Sequence, residues 1–554
     1  MFKHRLLALA GALLISMSPV YAQKKGSAPK AAPKGSAAKV KVTWGESYEV
    51  PKHYGDAGFF GNPKDGYAEV FLHGMTSLFI KKFDGSMTPL GDQTIDISDM
   101  RAGANSEAFY SLKGNTWWIY SSWDRDEHME RLHARKLDLQ NMSVGSEVTL
   151  LESPRKMSSG SGSYGWGIHI SGGAGKYTFN TSSDESKLMV QYMLKPEVKR
   201  DSKSFEIDGM FAFDENMKKV NGDEFTMPHT EAMMDNDDYE VDKTGNMYLL
   251  AKVYEEERKE SKDKKTPNYH FEIYRYAPGS KKPEVIPFAL DNGFAKSIML
   301  VDDAQGNIYS AGFYSKTLNG PTNGAFMLRL EAGKNTFSKF QKGYYDFPVE
   351  VLKSFETART QAKMDKKEAK GKNVGSANLE LRNFAIQEDG SVTIVGEEYW
   401  VEVHTTYNAS THTSQTTYTY HYNDIYALNV DPTGNMAWVR KIPKTQTGSS
   451  GLGGMSYKFF AKGKDTYLFY LDNAKNATLT PDKAPAHHMD GKGGILVCVK
   501  IDAKGGYSRT VIFDSKEVKK RIFPTQLRNL NSNTLAATIK EKKRKKSVYT
   551  LTIE

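Results

Sequence analysis

The sequence predicts an all-β chain built as a β-propeller, and three observations predict it. Runs of about five to ten residues alternate apolar and polar positions through most of the chain, the period of half-buried antiparallel strands. Several runs are separated by the same turn: Asp242-Lys243-Thr244-Gly245-Asn246, Asp303-Ala304-Gln305-Gly306-Asn307 and Asp431-Pro432-Thr433-Gly434-Asn435. In such a turn Asp and Asn accept local backbone hydrogen bonds and Gly takes positive φ. The unit of four runs recurs at a spacing of roughly 50–85 residues, longer than a minimal blade because hairpin tips carry insertions.

The clearest unit runs from Leu379 to Pro443. LELRNFAI, SVTIVGEEYWVEV, YNDIYALNV and the run after Asn435 form a four-stranded meander. Its second and third strands are joined through a Thr/Tyr/His-rich passage, and the hairpin from Val401 to Tyr422 is expected to protrude. Upstream, Tyr67–Phe71, Ser77–Phe83 and a run ending at Ile97 read as strands, after a stretch from Thr43 to Asn62 whose period is unclear. Six complete meanders follow between Glu107 and Phe513, and the chain ends on Gln526–Leu530, Thr534–Lys540 and Ser547–Ile553. The expected ring has seven four-stranded blades, with six and then eight as the alternatives. It closes through a composite blade in which Tyr67–Phe71 or Ser77–Phe83 pairs with the C-terminal strands, because an open edge would expose unpaired backbone groups. Residues 349–372 break the pattern: LKSFETARTQAKMDKKEAKGK is rich in helix formers and reads as one short inserted, solvent-exposed helix.

The first 22 residues have the form of a secretory signal. Lys3, His4 and Arg5 precede an apolar run from Leu6 to Ile15, and Val20-Tyr21-Ala22 supplies the exit. The expectation is export through a cleaved signal peptide to the periplasm or the cell exterior. Residues 23–42, lysine-, alanine- and proline-rich, read as a disordered tether, and residues 43–554 as one propeller domain. No later stretch has the length and apolarity of a transmembrane helix. Cys498 is the only cysteine, so no intrachain disulfide is available. Of the formal charge of +9, Lys3, Arg5 and six lysines between Lys24 and Lys41 account for nearly all. The near-neutral body excludes a basic nucleic-acid binder.

At LELRNFAIQEDGSVTIVGEEYWVEVHTTYN and YTYHYNDIYALNVDPTGNMAWVRKIPKTQ the chain resembles a family of uncharacterised secreted propeller-like proteins of Gram-negative bacteria. The resemblance is strongest from about Phe355 to Tyr470. It implies export and a propeller, and supplies no catalytic residues.

Candidate chemistry is sparse. His404 and His421 could be cross-strand neighbours if Asn408–Ser414 forms the hairpin tip, and His487 and His488 form a loop pair; neutral imidazole suits zinc or copper. Asp235 and Asp237, with His229, Glu231 and Asp238, make an acidic patch read as an inter-blade loop, with calcium as the ion it would take. Thr433, Gly434 and Trp438 fit part of a quinoprotein docking motif, but the position three before the Thr is Val430, so a turn before a core-facing Trp is expected. Gly172–Lys176 opens a strand and is no P-loop. Lys542–Lys546 reads as a basic hairpin tip that could touch a polyanion. The chain is therefore expected to bind no obligatory cofactor and to serve as a binding or scaffold propeller for a protein or glycan partner. The alternative is a glycan-processing hydrolase or lyase on the same fold, which ionisable groups converging in the central funnel would favour over aromatic and amide ones.

Overall fold

A computed structural model describes residues 34–158, 175–195, 203–256, 267–290 and 293–554, except 63, 65, 101, 102, 452, 481 and 543. Among the described residues, the strands assemble into eight sheets, antiparallel except for one two-residue parallel pair. Blade 1 is Gly55–Asn62, Gly66–His73, Ser77–Phe83 and Pro89–Asp96, each strand hydrogen-bonded to the next. Blades 2 to 7 repeat this order, beginning at Asn105, Tyr177, Met234, Phe294, Leu379 and Lys458, and blade 6 adds two short strands, Gln446–Gly448 and His488–Met489. Blade 8 is the exception. Arg528–Asn529, Thr534–Lys540 and Lys545–Ile553 take Val40–Glu49, from the other end of the chain, as their fourth and outermost strand.

The sheets pack in a ring because both faces of each are apolar. Alternation puts successive side chains on opposite faces, and eight apolar clusters each join one pair of neighbouring sheets. Trp118 and Tyr120 of blade 2 meet Val70 and Ile80 of blade 1; Tyr426 and Leu428 of blade 6 meet Phe313 and Met327 of blade 5. Phe469 and Cys498 of blade 7 meet Leu535 and Leu551 of blade 8. The cycle closes where Ala536 and Val548 of blade 8 meet Phe71, Phe79 and Phe83 of blade 1. Cys498 is thus a buried core residue.

Eight sheets replace the seven expected, and the error lies at the N-terminus. Gly55–Asn62 completes blade 1, so Tyr67–Phe71 and Ser77–Phe83 do not pair with the C-terminal strands. The alternation of Gly55–Asn62 is hidden by a bulge at Ala57 and by Gly58 and Gly61 at φ 150° and 116°. Val40–Glu49 also bulges, between Trp44 and Ser47, and mostly faces solvent. The expected tether runs into this strand: Val40 pairs with Ile553 and Lys41 with Thr552, while the Gly35 amide donates to Tyr507 O at 2.9 Å. Residues 23–33 lie outside the described residues.

In each meander the first and third turns lie at one end and the second turn and the interblade connection at the other. The D-x-x-G-N turns occupy the first end; in each, the Asp carboxylate accepts the amides two and four residues on. Among the described residues, the long insertions fall at the other end. They include two helices in place of one, Val349–Lys353 and Ala358–Glu368, the second capped by Thr357 and with no buried residue. The Val401–Tyr422 hairpin leaves from the same end, together with the 473–494 loop of blade 7.

Closure also joins charges. Lys546 stands 3.1 Å from Asp56 and 3.4 Å from Glu69 and lies over the Phe71 ring, and Thr538 and Tyr48 donate to Glu69. The basic run therefore reaches into an interblade contact at Lys546. Removing Ser547–Glu554 takes out the strand that holds Val40–Glu49 and reopens the ring. The truncated chain is expected to lose cooperative unfolding or melt at least about 10 °C lower by calorimetry; an unchanged melting temperature would show that closure is dispensable.

Candidate functional site

The site is the base of the protruding hairpin, on the insertion-bearing end of blade 6. Here Val392–Asn408 leaves the sheet where Asn423 and Asp424 of the partner strand bulge opposite Glu398, and ordinary alternation sets two successive glutamates in separate polar networks.

Glu397 lies opposite Ile425 and next along the stripe from Val395, a core position occupied by a charge. It is fully enclosed and so is Lys444, whose ammonium stands 2.8 Å from Glu397 Oε1. Lys444 also donates to Tyr422 O at 2.7 Å and Gln446 Oε1 at 3.1 Å. Ser456 Oγ donates to Glu397 Oε2 at 2.7 Å, and Arg382 Nε stands 3.3 Å from the same oxygen. Burial pulls the Lys444 pKa down, with Glu397 opposing. Arg382 extends toward the innermost end of the site, 3.4 Å from Glu380 and 5.0 Å over the Tyr399 ring. Burial pushes the Glu380 carboxyl up to about 7 against the pull of Arg382.

Glu398 belongs to a second network. Ser376 Oγ donates to it at 2.5 Å, and burial followed by Asp424 holds its pKa up at about 8. Nearby, Lys441 is fully enclosed, 2.6 Å from Glu356 and 3.1 Å from Asp424, and donates to Leu352 O at 3.3 Å. The helical insertion is therefore tied to the strand that carries the hairpin. A third grip comes from two added strands: Gln446–Gly448 pairs with Tyr420–Tyr422, and His488–Met489 pairs with Gln446 and Thr447.

Beyond this base the hairpin is a two-stranded ribbon with its turn at 409–412. Val401, Val403, Thr405 and Tyr407 share one face with their partners Tyr420, Tyr418, Thr416 and Ser414. Val403, Tyr407 and Tyr418 on that face are 40%, 63% and 50% exposed. The other face carries Glu402, His404, Thr406, Gln415, Thr417 and Thr419.

The predicted metal candidates do not converge. His404 pairs with Thr417 and His421 with Trp400, four rungs apart, about 13 Å at strand rise. His421 instead stacks on Trp400 at 4.4 Å, with Nε2 3.5 Å from Glu402. His487 is exposed while His488 is buried, and burial followed by Lys444 pulls the His488 pKa down to about 4. A neighbouring ammonium disfavours a cation there. Asp235 and Asp237 lie in the innermost strand of blade 4, Met234–Val241, and not in a loop. Tyr254 donates to Asp235 at 2.5 Å, and burial raises Asp237 to about 6. Among the described residues no group of three or more His, Cys, Asp or Glu is placed to hold a metal ion. Trp438 is buried after its turn, Trp117 and Trp118 pack between blades, and Trp166 lies outside the described residues.

Two other constellations deserve weighing as chemistry. Ser122 Oγ lies 3.0 Å from His133 Nε2, and His133 Nδ1 lies 3.4 Å from Glu147, the order of a hydrolytic relay. Ser122 and His133 are both buried, so no substrate reaches the hydroxyl. A cavity of about 490 Å³ opens at the other end, but Lys500 there is paired with Asp465 at 2.9 Å and Lys462 donates to Ile553 O. Sequence reasoning missed Glu380, Arg382, Glu397, Lys441 and Lys444. The signal for Glu397 was present, since it occupies the parity of Val395 in an otherwise apolar stripe.

The ring of four-stranded sheets and the charge-locked hairpin define a propeller-type scaffold. Known proteins add likenesses of low similarity. No family model and no curated protein matches the chain. The WD40 domain of SCAP from fission yeast shares 8% identity over 93% of this chain and 98% of that one, at a TM-score of 0.37. The β-propeller domain of the Trilobed protease from Pyrococcus furiosus shares 10% over 71% and 98%, at 0.30. A prolyl endopeptidase shares 10% over 75% of this chain but only 54% of its own, at 0.31. Scores of this size carry no argument, and the architecture rests on the sheet order and the closed cycle of clusters.

Glu397→Gln leaves Lys444 buried without its counter-charge, and Lys444→Met leaves Glu397 with Arg382 alone. Each is expected to cost about 3–5 kcal/mol, while the double replacement Glu397→Leu/Lys444→Met costs less than either; urea unfolding of the four proteins checks the cycle.

Stability should also depend on pH in an unusual direction. Burial, the first cause in each case, raises Glu69, Asp238 and Glu380 to about 7 and Glu398 to about 8. An acid whose folded pKa is raised adds stability that is complete below its unfolded pKa, near 4, and is lost as pH rises through the folded value. His488, pulled down, acts oppositely as pH falls below about 6.5. Four acids outweigh one imidazole, so the melting temperature is expected to be at least about 2 °C higher at pH 6 than at pH 8 by calorimetry.

Proposed function

We propose that this chain is an exported, non-enzymatic binding propeller whose recognition element is the Val401–Tyr420 ribbon, and that its partner is an extended polypeptide segment. The observation that carries the reading is an exposed Val/Tyr face on a ribbon clamped at its base by the fully enclosed Lys444–Glu397 pair. A side chain that reaches out from a rigid base meets its partner with little further ordering cost. Among the described residues the ribbon also has two unpaired edges from Val401 to Thr419. Edge strands are commonly blunted by lysine or proline, yet from Tyr399 to Tyr422 there is no Lys, Arg or Pro and a single carboxylate, Glu402. Free backbone donors and acceptors beside an apolar face suit strand addition, where the main chain supplies affinity and alternate side chains supply specificity.

Charged groups do line the inner strands, the feature set out above as favouring an enzyme. Two of those at the hairpin base are paired with cations: Glu397 is enclosed with Lys444, and Glu380 faces Arg382. Neither of these two carboxyls stands free to act as acid or base beside a glycosidic bond.

Deleting Tyr407–Tyr418 with a short turn in their place is expected to shift the melting temperature by less than about 2 °C, because the removed residues bury little. The same deletion, and the milder Val403→Lys/Tyr418→Lys variant, should abolish binding to arrayed peptides of cell-envelope proteins. Binding confined to a glycan array, or peptide binding that survives both changes, would overturn the reading.

A further inference from the structure

We propose a second interaction surface, the outward face of the inserted helix Ala358–Glu368, and assign to it the surface of a lipid bilayer that carries anionic headgroups. Winding ARTQAKMDKKE into a helix sorts its charges by face. At 3.6 residues per turn, Arg359, Lys363, Lys366 and Lys367 fall within about 100° of one another. Lys370 and Lys372 follow in the turn that closes the helix, where Gly371 takes φ 60°. All six cations are exposed, and among the described residues none of their side chains forms a hydrogen bond or ion pair. The two acids of the helix lie on the opposite face. Lys353 of the first helix takes both, Asp365 at 2.5 Å and Glu368 at 3.0 Å. Glu356, just before the Thr357 cap, is taken by Lys441. Glu350, on the first helix, is the one acid of the insertion left without a cation among the described residues.

Stability does not explain this sorting. Arg359 and Lys363, and Lys363 and Lys367, stand four apart, the spacing at which opposite charges support a helix and like charges weaken it. The helix also buries none of its own side chains, so core packing does not require it. The make-up of the stripe selects the partner. Arginine is the residue of discrete oxyanions and of protein interfaces, where lysine is depleted; here five lysines accompany Arg359 alone. The stripe is convex, so it encloses no small anion. From Thr357 to Lys372 there is no aromatic side chain on which a nucleic-acid base could stack. A plane of headgroup phosphates, by contrast, meets a row of flexible ammonium groups without demanding one geometry. Each lysine held near such a surface strengthens attachment by about fivefold. The stripe carries no apolar side chain to insert, so attachment is electrostatic and salt-sensitive.

This surface does not depend on the ribbon or on its polypeptide partner. The chain from Gln23 onward is sedimented with vesicles of phosphatidylcholine and phosphatidylglycerol, and with vesicles of phosphatidylcholine alone, at low and at physiological ionic strength. Binding to the anionic vesicles only, falling as salt rises, is expected. Lys363→Gln/Lys366→Gln/Lys367→Gln should weaken it at least about tenfold. Its melting temperature should be unchanged or raised, because glutamine is a good helix former and the like-charge repulsion is gone. Lys24→Gln/Lys25→Gln/Lys30→Gln, at the N-terminus, and the chain lacking Tyr407–Tyr418 should bind as the parent does. Three results would each overturn the proposal: no binding to anionic vesicles, binding lost with the N-terminal lysines or the ribbon and kept by the helix variant, or helix-dependent binding to soluble polyglutamate alone.

Discussion

A sheet that is apolar on both faces cannot stand alone in water, and this requirement organises the whole molecule. Each of the eight sheets alternates cleanly enough that both faces need cover, and burying them supplies roughly 25 cal/mol for each Å² of apolar surface removed. A linear stack would leave two terminal faces wet; a ring leaves none. The ring closes only if its ends meet, and here the Val40–Glu49 strand, separated from its partner by nearly the whole chain, completes blade 8. Lys546, Asp56 and Glu69 then become neighbours although they are almost 500 positions apart in sequence. The apolar contact between Phe71 and Val548 and the charges beside it are consequences of the same closure.

The arrangement separates structure from variation. At one end of the ring, short turns built on Asp242, Asp303 and Asp431 hold the strands in register through the carboxylate that accepts two amides. At the other end sit the helices, the long ribbon and the blade 7 loop. Loops carry function when a rigid frame positions them, and here the frame reaches into the insertions through charge. Lys441 ties the helical insertion to blade 6 while Lys444 ties the hairpin base to blade 7 territory, through Gln446 and Leu471 O. Such enclosed pairs add little net stability against an apolar replacement; what they supply is a single orientation for the ribbon.

The sequence by itself determined the class of fold, the meander as repeating unit, the six blades from Glu107 to Phe513 and the protruding hairpin. All follow from local chemistry: period-two alternation, turn residues and helix propensity act over a few positions. The number of blades and the manner of closure were decided by the tertiary structure. Gly55–Asn62 and Val40–Glu49 become strands because a neighbouring edge is available, and their own patterns are broken by bulges and glycine. The candidate site divides in the same way. That Glu397 sat on a core stripe was legible; that Lys444, Arg382 and Ser456 would converge on it was not, because ionic partners are chosen in space and no period links them. His404 and His421 show the reverse: adjacency inferred from a hairpin tip at Asn408–Ser414 failed once the register set them four rungs apart. Register is fixed by the sum of cross-strand contacts along a ladder, a quantity no single residue carries.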